Sequence, residues 1–142
     1  MTDAINGPAS AIYRRVQMPR QLPEVRINNF DEVALGYSQE QAITEARRCL
    51  QCKKAPCVPG CPVGIDIPGF IKATAGGNFR RAITIIKRDN LLPAICGRVC
   101  PQAKQCQAGC VLGGKGAAIN IGSLERFVAD WERDEGGIEL PP

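Results

Sequence analysis

The pattern of apolar and polar positions changes character near Ser38. Before it, apolar residues occur singly, Pro8, Pro19 and Pro23 interrupt the run, and Arg14, Arg15, Arg20 and Arg26 make it basic. Residues 1–37 therefore read as an extended arm, which either wraps its own domain or offers a docking strand to a partner. From Ser38 helical spacing sets in. Ser38-x-x-Gln41 has the form of a capping box, and Ala42, Ile43, Ala46, Cys49 and Leu50 share one face. This pattern predicts a helix to about Cys52 that delivers Cys49 and Cys52 from its last turn. Pro56, Pro59, Gly60, Pro62 and Gly64 make 53–66 an irregular loop.

A second helix is expected from Asp66 or Ile67, with Pro68 in its first turn, to Gly76-Gly77. Asn78 caps a third, with Phe79, Ala82, Ile83 and Ile86 as its apolar stripe. Pro93 opens a short helical turn carrying Cys96 and Cys100, and residues 101–118 read mostly as loop. Asn120 caps a last helix from Ile121 to about Arg133, with Leu124, Phe127, Val128 and Trp131 inward. Strand signals are nearly absent, so the fold is expected to be mainly α, a small helical domain over 38–133 with a tail at 134–142.

Eleven prolines, fifteen glycines, one tryptophan and two tyrosines leave a thin apolar core for 142 residues. Cross-links by metal ligation would compensate. The start of the chain has no basic segment followed by an apolar one, as a secretory leader would. No apolar run reaches the roughly 18–20 residues of a membrane span. A cytoplasmic home is expected, where clustered cysteines bind metal more often than they pair as disulfides.

The cysteines carry the chemistry. They fall in two groups of four, Cys49-x2-Cys52-x4-Cys57-x3-Cys61-Pro62 and Cys96-x3-Cys100-Pro101-x4-Cys106-x3-Cys110, and the chain has no histidine. Short spacings let thiolates converge on a soft metal centre, and the pattern points to a pair of iron–sulfur clusters wrapped by loops. Two structural zinc sites are the alternative, although zinc favours paired CxxC knuckles and only one CxxC is present. The formal charge of +4 is largely offset once thiolates and cluster cores are counted, which argues against a nucleic-acid partner. Gly113-Gly114-Lys115-Gly116 matches neither a dinucleotide fingerprint nor a Walker loop and reads as a flexible or cluster-shielding turn.

Three stretches, RRCLQCKKAPCVPGCPVGIDIPGFI, LPAICGRVCPQAKQCQAGCVLGGKG and AINIGSLERFVADW, resemble the N-terminal iron–sulfur domain of the glutamate synthase small subunit. The same domain is similar to one in dihydropyrimidine dehydrogenase and in the large subunit of electron-bifurcating ferredoxin:NADP oxidoreductase. The resemblance covers roughly residues 30–133. It implies an alpha-helical ferredoxin-like fold and two 4Fe–4S clusters with crossed ligation. Cys49, Cys52, Cys57 and Cys110 would hold one cluster; Cys61, Cys100, Cys106 and Glu125 would hold the other. Cys96 would be a buried, non-ligating thiol, or would stand in for Glu125. A lone carboxylate at 125 would otherwise read as a solvated helix residue.

In the family a flavin- and nicotinamide-binding region follows; no such fingerprint occurs in these 142 residues, so this chain alone is expected to bind neither group. The resemblance implies a subunit that relays single electrons between an NAD(P)H-linked flavoprotein partner and a further redox subunit or ferredoxin. No residue is required as acid, base or nucleophile. A non-redox zinc module and a detached domain of a longer flavoenzyme are the other readings. Arg47, Arg48, Lys53 and Lys54 would either greet an acidic ferredoxin or sit as solvated helix-end charges.

Overall fold

The computed structural model describes residues 12–140; the start of the arm, with Pro8, and the last two prolines lie outside the described residues. Among the described residues six α-helices carry the fold: α1 (Pro23–Arg26), α2 (Gln39–Arg47), α3 (Ile67–Ala75), α4 (Phe79–Lys87), α5 (Pro93–Val99) and α6 (Ile121–Trp131). A bridge between Arg20 and Ala34 is the only extended pairing among the described residues, so the domain is mainly α.

The start signals work largely as the sequence predicts. Ser38 Oγ accepts the Gln41 N–H at 3.2 Å, and Gln41 Oε1 accepts the Ser38 N–H at 2.9 Å, closing the capping box. Asp66 Oδ1 accepts the Gly69 N–H at 2.9 Å, and Asn78 Oδ1 the Arg81 N–H at 3.0 Å. Asn120 differs. It stands at the N-cap of α6, but its side chain caps nothing. Its amide donates to Tyr37 Oη at 2.7 Å and to the Val16 carbonyl at 3.4 Å.

The α3–α4 hairpin turns at Gly76-Gly77, where Gly77 takes φ 73, and α6 packs across it. Ala42 and Ala46 of α2 join Ile67, Phe70, Ile71, Ala82, Ile83, Ile86, Ile121, Leu124 and Val128 in one buried core. Phe79 meets Phe127 edge-on, with centroids 5.0 Å apart, and Trp131 at 5.6 Å. α5 lies tightly on α6 because Gly97 has no side chain. A Cβ there would stand 2.6 Å from the Arg126 backbone nitrogen. Beyond Trp131 the last helix widens into a π turn, Glu132–Gly136.

Two expectations need correction. α2 stops at Arg47, with Arg48 as C-cap, so Cys49 and Cys52 lie beyond the helix and not on its last turn. Gln51 takes φ 50 and Ala55 φ 37, a left-handed geometry that cannot continue an α-helix. Arg48 is neither a solvated charge nor a docking group. It is buried, pairs with the buried Glu45 at 2.5 Å, and donates to the carbonyls of Ile12 and Ala117. Glu45 also accepts the Val16 N–H at 2.8 Å and the Asn120 N–H at 2.9 Å. One ion pair thus ties the arm, α2 and the entry to α6. Arg47, Lys53 and Lys54 are exposed.

Candidate metal centres

Past α2 the backbone winds through successive tight turns. The N–H of Ala55 bonds the carbonyl of Cys52, that of Val58 Ala55, that of Cys61 Val58, and that of Gly64 Cys61, at 2.9–3.1 Å. The second cysteine stretch repeats the device, with Gln105 bonded to Gln102, Ala108 to Gln105, Cys110 to Gln107 and Gly113 to Cys110. Chains of turns expose one thiol after another in directions that a regular helix would not offer.

The two stretches meet at their glycines. Gly109 lies against Pro56 and Cys57 so closely that a Cβ would sit 2.3 Å from the Pro56 carbonyl oxygen. Gly60 lies against Gln105 and Cys106, where a Cβ would sit 2.8 Å from the Gln105 oxygen. The stretches therefore cross: Cys110 is brought to Cys57, and Cys106 to Cys61.

The crossing yields two thiol groups. Cys49, Cys52, Cys57 and Cys110 line one cavity with Ile67, Ile71, Leu112, Ile119 and Ile121. Burial pushes the Cys57 thiol up to about 11, with Cys49, Cys110 and Cys52 adding to the effect. Cys49 is raised too, first by burial, while the Gln51 backbone N–H works the other way. The Ile119 N–H donates to Cys110 Sγ at 3.4 Å.

In the second group burial pushes the buried Cys106 up to about 12, with Cys61 next in effect and Glu125 contributing. Cys100 rises to about 11, through burial and then through Cys96, with Glu125 and Cys61 also raising it. Glu125 is 6% exposed, so the solvated-carboxylate reading does not hold. Burial raises it to about 7, against a stabilising bond from Asn90 Nδ2 to its Oε1 at 2.7 Å.

Cys96 sits beside Cys100 and is half-buried, short of the full burial expected; its thiol donates to Asn90 Oδ1 at 3.7 Å. Among the described residues Cys96 is not in the first group, whose cavity it does not line.

These surroundings suit an iron–sulfur group. Thiols held this high ionise against a strong positive charge, which iron supplies, and an N–H donor already points at sulfur. Among the described residues no three His, Cys, Asp or Glu side chains converge as ligands of one ion. Four thiols line the first cavity, the number of ligands that one 4Fe–4S cluster takes.

Three contributors escape sequence reasoning: Asn90, the Gly60 and Gly109 crossings, and the Glu45–Arg48 pair. Asp89-Asn90 before Leu-Leu-Pro reads only as a turn. A glycine near a cysteine signals close approach without naming what approaches.

A helical domain that presents cysteines in two crossed sets is of the iron–sulfur electron-transfer class, and comparison with known proteins agrees. Residues 26–137 match the family described as dihydropyrimidine dehydrogenase domain II, 4Fe-4S cluster, and the chain belongs to that family. It is 43% identical over 119 residues to the NAD-dependent dihydropyrimidine dehydrogenase subunit PreT of Escherichia coli K12, covering 84% of this chain and 27% of that one. It is 34% identical over 132 residues to the glutamate synthase (NADPH) small chain of the same organism, covering 89% of this chain and 28% of that one. The corresponding small chain of Azospirillum brasilense is 34% identical over 130 residues, covering 90% and 27%. The chain thus spans about a quarter of the length of these relatives. The family's description names a 4Fe-4S cluster, so the cofactor is iron–sulfur, a group that carries electrons. Among the described residues no helix is long and apolar enough to cross a membrane.

Proposed function

We propose that residues 38–133 form a relay of two 4Fe–4S clusters that passes single electrons between a flavoprotein using NAD(P)H and a second redox partner. Cys49, Cys52, Cys57 and Cys110 hold one cluster; Cys61, Cys100, Cys106 and Glu125 hold the other. The observation that carries this reading is the double crossing, with Gly109 on Pro56–Cys57 and Gly60 on Gln105–Cys106. It supports one late cysteine joining the early three, and one early cysteine joining the late two.

Bound clusters supply one-electron steps, which let a hydride pair be divided into singles. The chain's own work is to hold them. The apolar wall of Ile67, Ile71, Leu112, Ile119 and Ile121 keeps water from the first. Glu125 gives the second an oxygen donor, harder than thiolate, which sets the two potentials apart. A flavin would come from another part of the assembly; a nicotinamide-linked donor is in keeping with the relatives' names, one NAD-dependent and the other marked NADPH.

Anaerobically purified protein tests this. About eight irons and eight labile sulfides per chain are expected, with two interacting EPR signals after reduction. Glu125→Ala should alter one signal and spare the other; two unchanged signals would remove Glu125 from the ligand set. Zinc with no reducible chromophore would replace the relay by a structural module.

A further inference from the structure

Asn90 stands in the loop between α4 and α5 and is 6% exposed. Nothing in the turn it belongs to requires a buried amide. Its own geometry is fixed twice over: the Asn90 N–H donates to the Ile86 carbonyl at 2.9 Å, and its Oδ1 accepts the Leu92 N–H at 2.9 Å. The first bond closes the end of α4, and the second shapes the entry to Pro93 and α5. With Oδ1 turned to Leu92, the two N–H bonds of Nδ2 can only face the other way. There Nδ2 donates to Glu125 Oε1 at 2.7 Å. That bond engages Oε1, so Oε2 is the carboxylate oxygen it does not occupy. The Cys96 thiol, meanwhile, donates to the same Oδ1 at 3.7 Å.

We infer that Asn90 is the positioning residue of the second centre: its amide clamps one carboxylate oxygen of Glu125 so that the other faces iron, while its carbonyl holds Cys96 aside. The inference rests on the reading of Glu125 as a ligand. It explains how a carboxylate is selected where a thiol stands within reach. Thiolate is the better iron donor, so an unrestrained Cys96 would compete. A single amide restrains both competitors, because its donor end takes the carboxylate and its acceptor end takes the thiol.

Asn90→Asp separates this role from a merely structural one. Aspartate keeps an acceptor for the Leu92 N–H, and with it the turn, but loses the donor to Glu125. The expected result is wild-type helix content by circular dichroism and an altered EPR signal in the cluster that Glu125→Ala disturbs. Loss of half the iron to a chelator should speed up about 10-fold or more, the usual cost of removing a partner that orients a ligand. Should Asn90→Asp lose its fold, Asn90→Ser decides by the same two readouts: its shorter hydroxyl can still take the Leu92 N–H but does not span the distance to Glu125.

Both signals and the chelation rate unchanged in a folded Asn90→Asp or Asn90→Ser protein would overturn the inference. Failure of the underlying reading looks different: Glu125→Ala would then leave both signals intact, whatever Asn90 does.

Discussion

Gly109 and Pro56 touch backbone to backbone, leaving 2.3 Å between the Pro56 carbonyl oxygen and the place where a side chain at 109 would begin. This contact draws Cys110 to Cys57. Gly109→Ala should therefore force the two stretches apart, costing about 1–3 kcal/mol as overpacking does, and lower the iron content. Gly114, with nothing near its missing Cβ, supplies the control. Denaturation midpoint and iron per chain would be compared; equal losses in Gly109→Ala and Gly114→Ala would show that the crossing is not tight.

Cys96→Ser should keep all eight irons, whereas Cys110→Ser should lose those of the first centre. The thiol of Cys96 faces Asn90 and Cys100, and it is the extra sulfur of its group. Iron and sulfide analysis of the two variants checks this. A Cys96→Ser protein missing half its iron would make the thiol a ligand.

Removing one partner of the Glu45–Arg48 pair leaves a buried charge alone. Arg48→Ala should destabilise the iron-loaded protein by about 3–5 kcal/mol; replacing both residues by apolar ones should not rescue it, because the Val16 and Asn120 N–H groups would lose their acceptor. Urea denaturation followed at the helix signal measures the difference. The same pair holds Val16 and Asn120, so amide exchange at both should rise in the single variant.

Glu32 reaches Arg98 at 2.7 Å and Arg126 at 3.0 Å, fastening the 20–35 stretch to α5 and α6. The Arg98 bond, more than the field of Arg126 behind it, holds its carboxyl below the usual range of about 4.5. A carboxyl lowered by folding stabilises above its unfolded value, and the contribution fades as pH falls below about 4.5 and through the folded value. Amide exchange in residues 20–35 should quicken in that acid window, and Glu32→Gln should quicken it already at pH 7. Equal exchange in both proteins at pH 7 would mean the ion pairs do not hold the stretch.

What the sequence revealed was what short-range chemistry decides. The caps at Ser38, Asp66 and Asn78, the proline-led starts of α3 and α5, and the apolar stripe of α4 all follow from neighbours within four residues. Asn120 broke the pattern because a distant tyrosine hydroxyl and an arm carbonyl claimed its side chain. α2 ended early because Gln51 turned left-handed, a choice that no local composition announces. Cysteine spacing foretold thiol-rich centres but could not foretell their surroundings. The grouping of Glu125 with Cys106 came from resemblance alone, and burial of that carboxylate became visible only when α6 lay on α5. Arg48 read as a surface charge because nothing in the local sequence marks Glu45, three residues away, as its buried partner.

The glycine crossings also bear on how the domain is made. A ribosome releases Cys49, Cys52 and Cys57 long before Cys110, and Cys61 long before Cys106 and Glu125. The wall of the first cavity is incomplete until Ile119 and Ile121 have emerged. The early thiols wait while some sixty further residues are added. A cluster held by both stretches is therefore loaded only after the second one has left the exit tunnel.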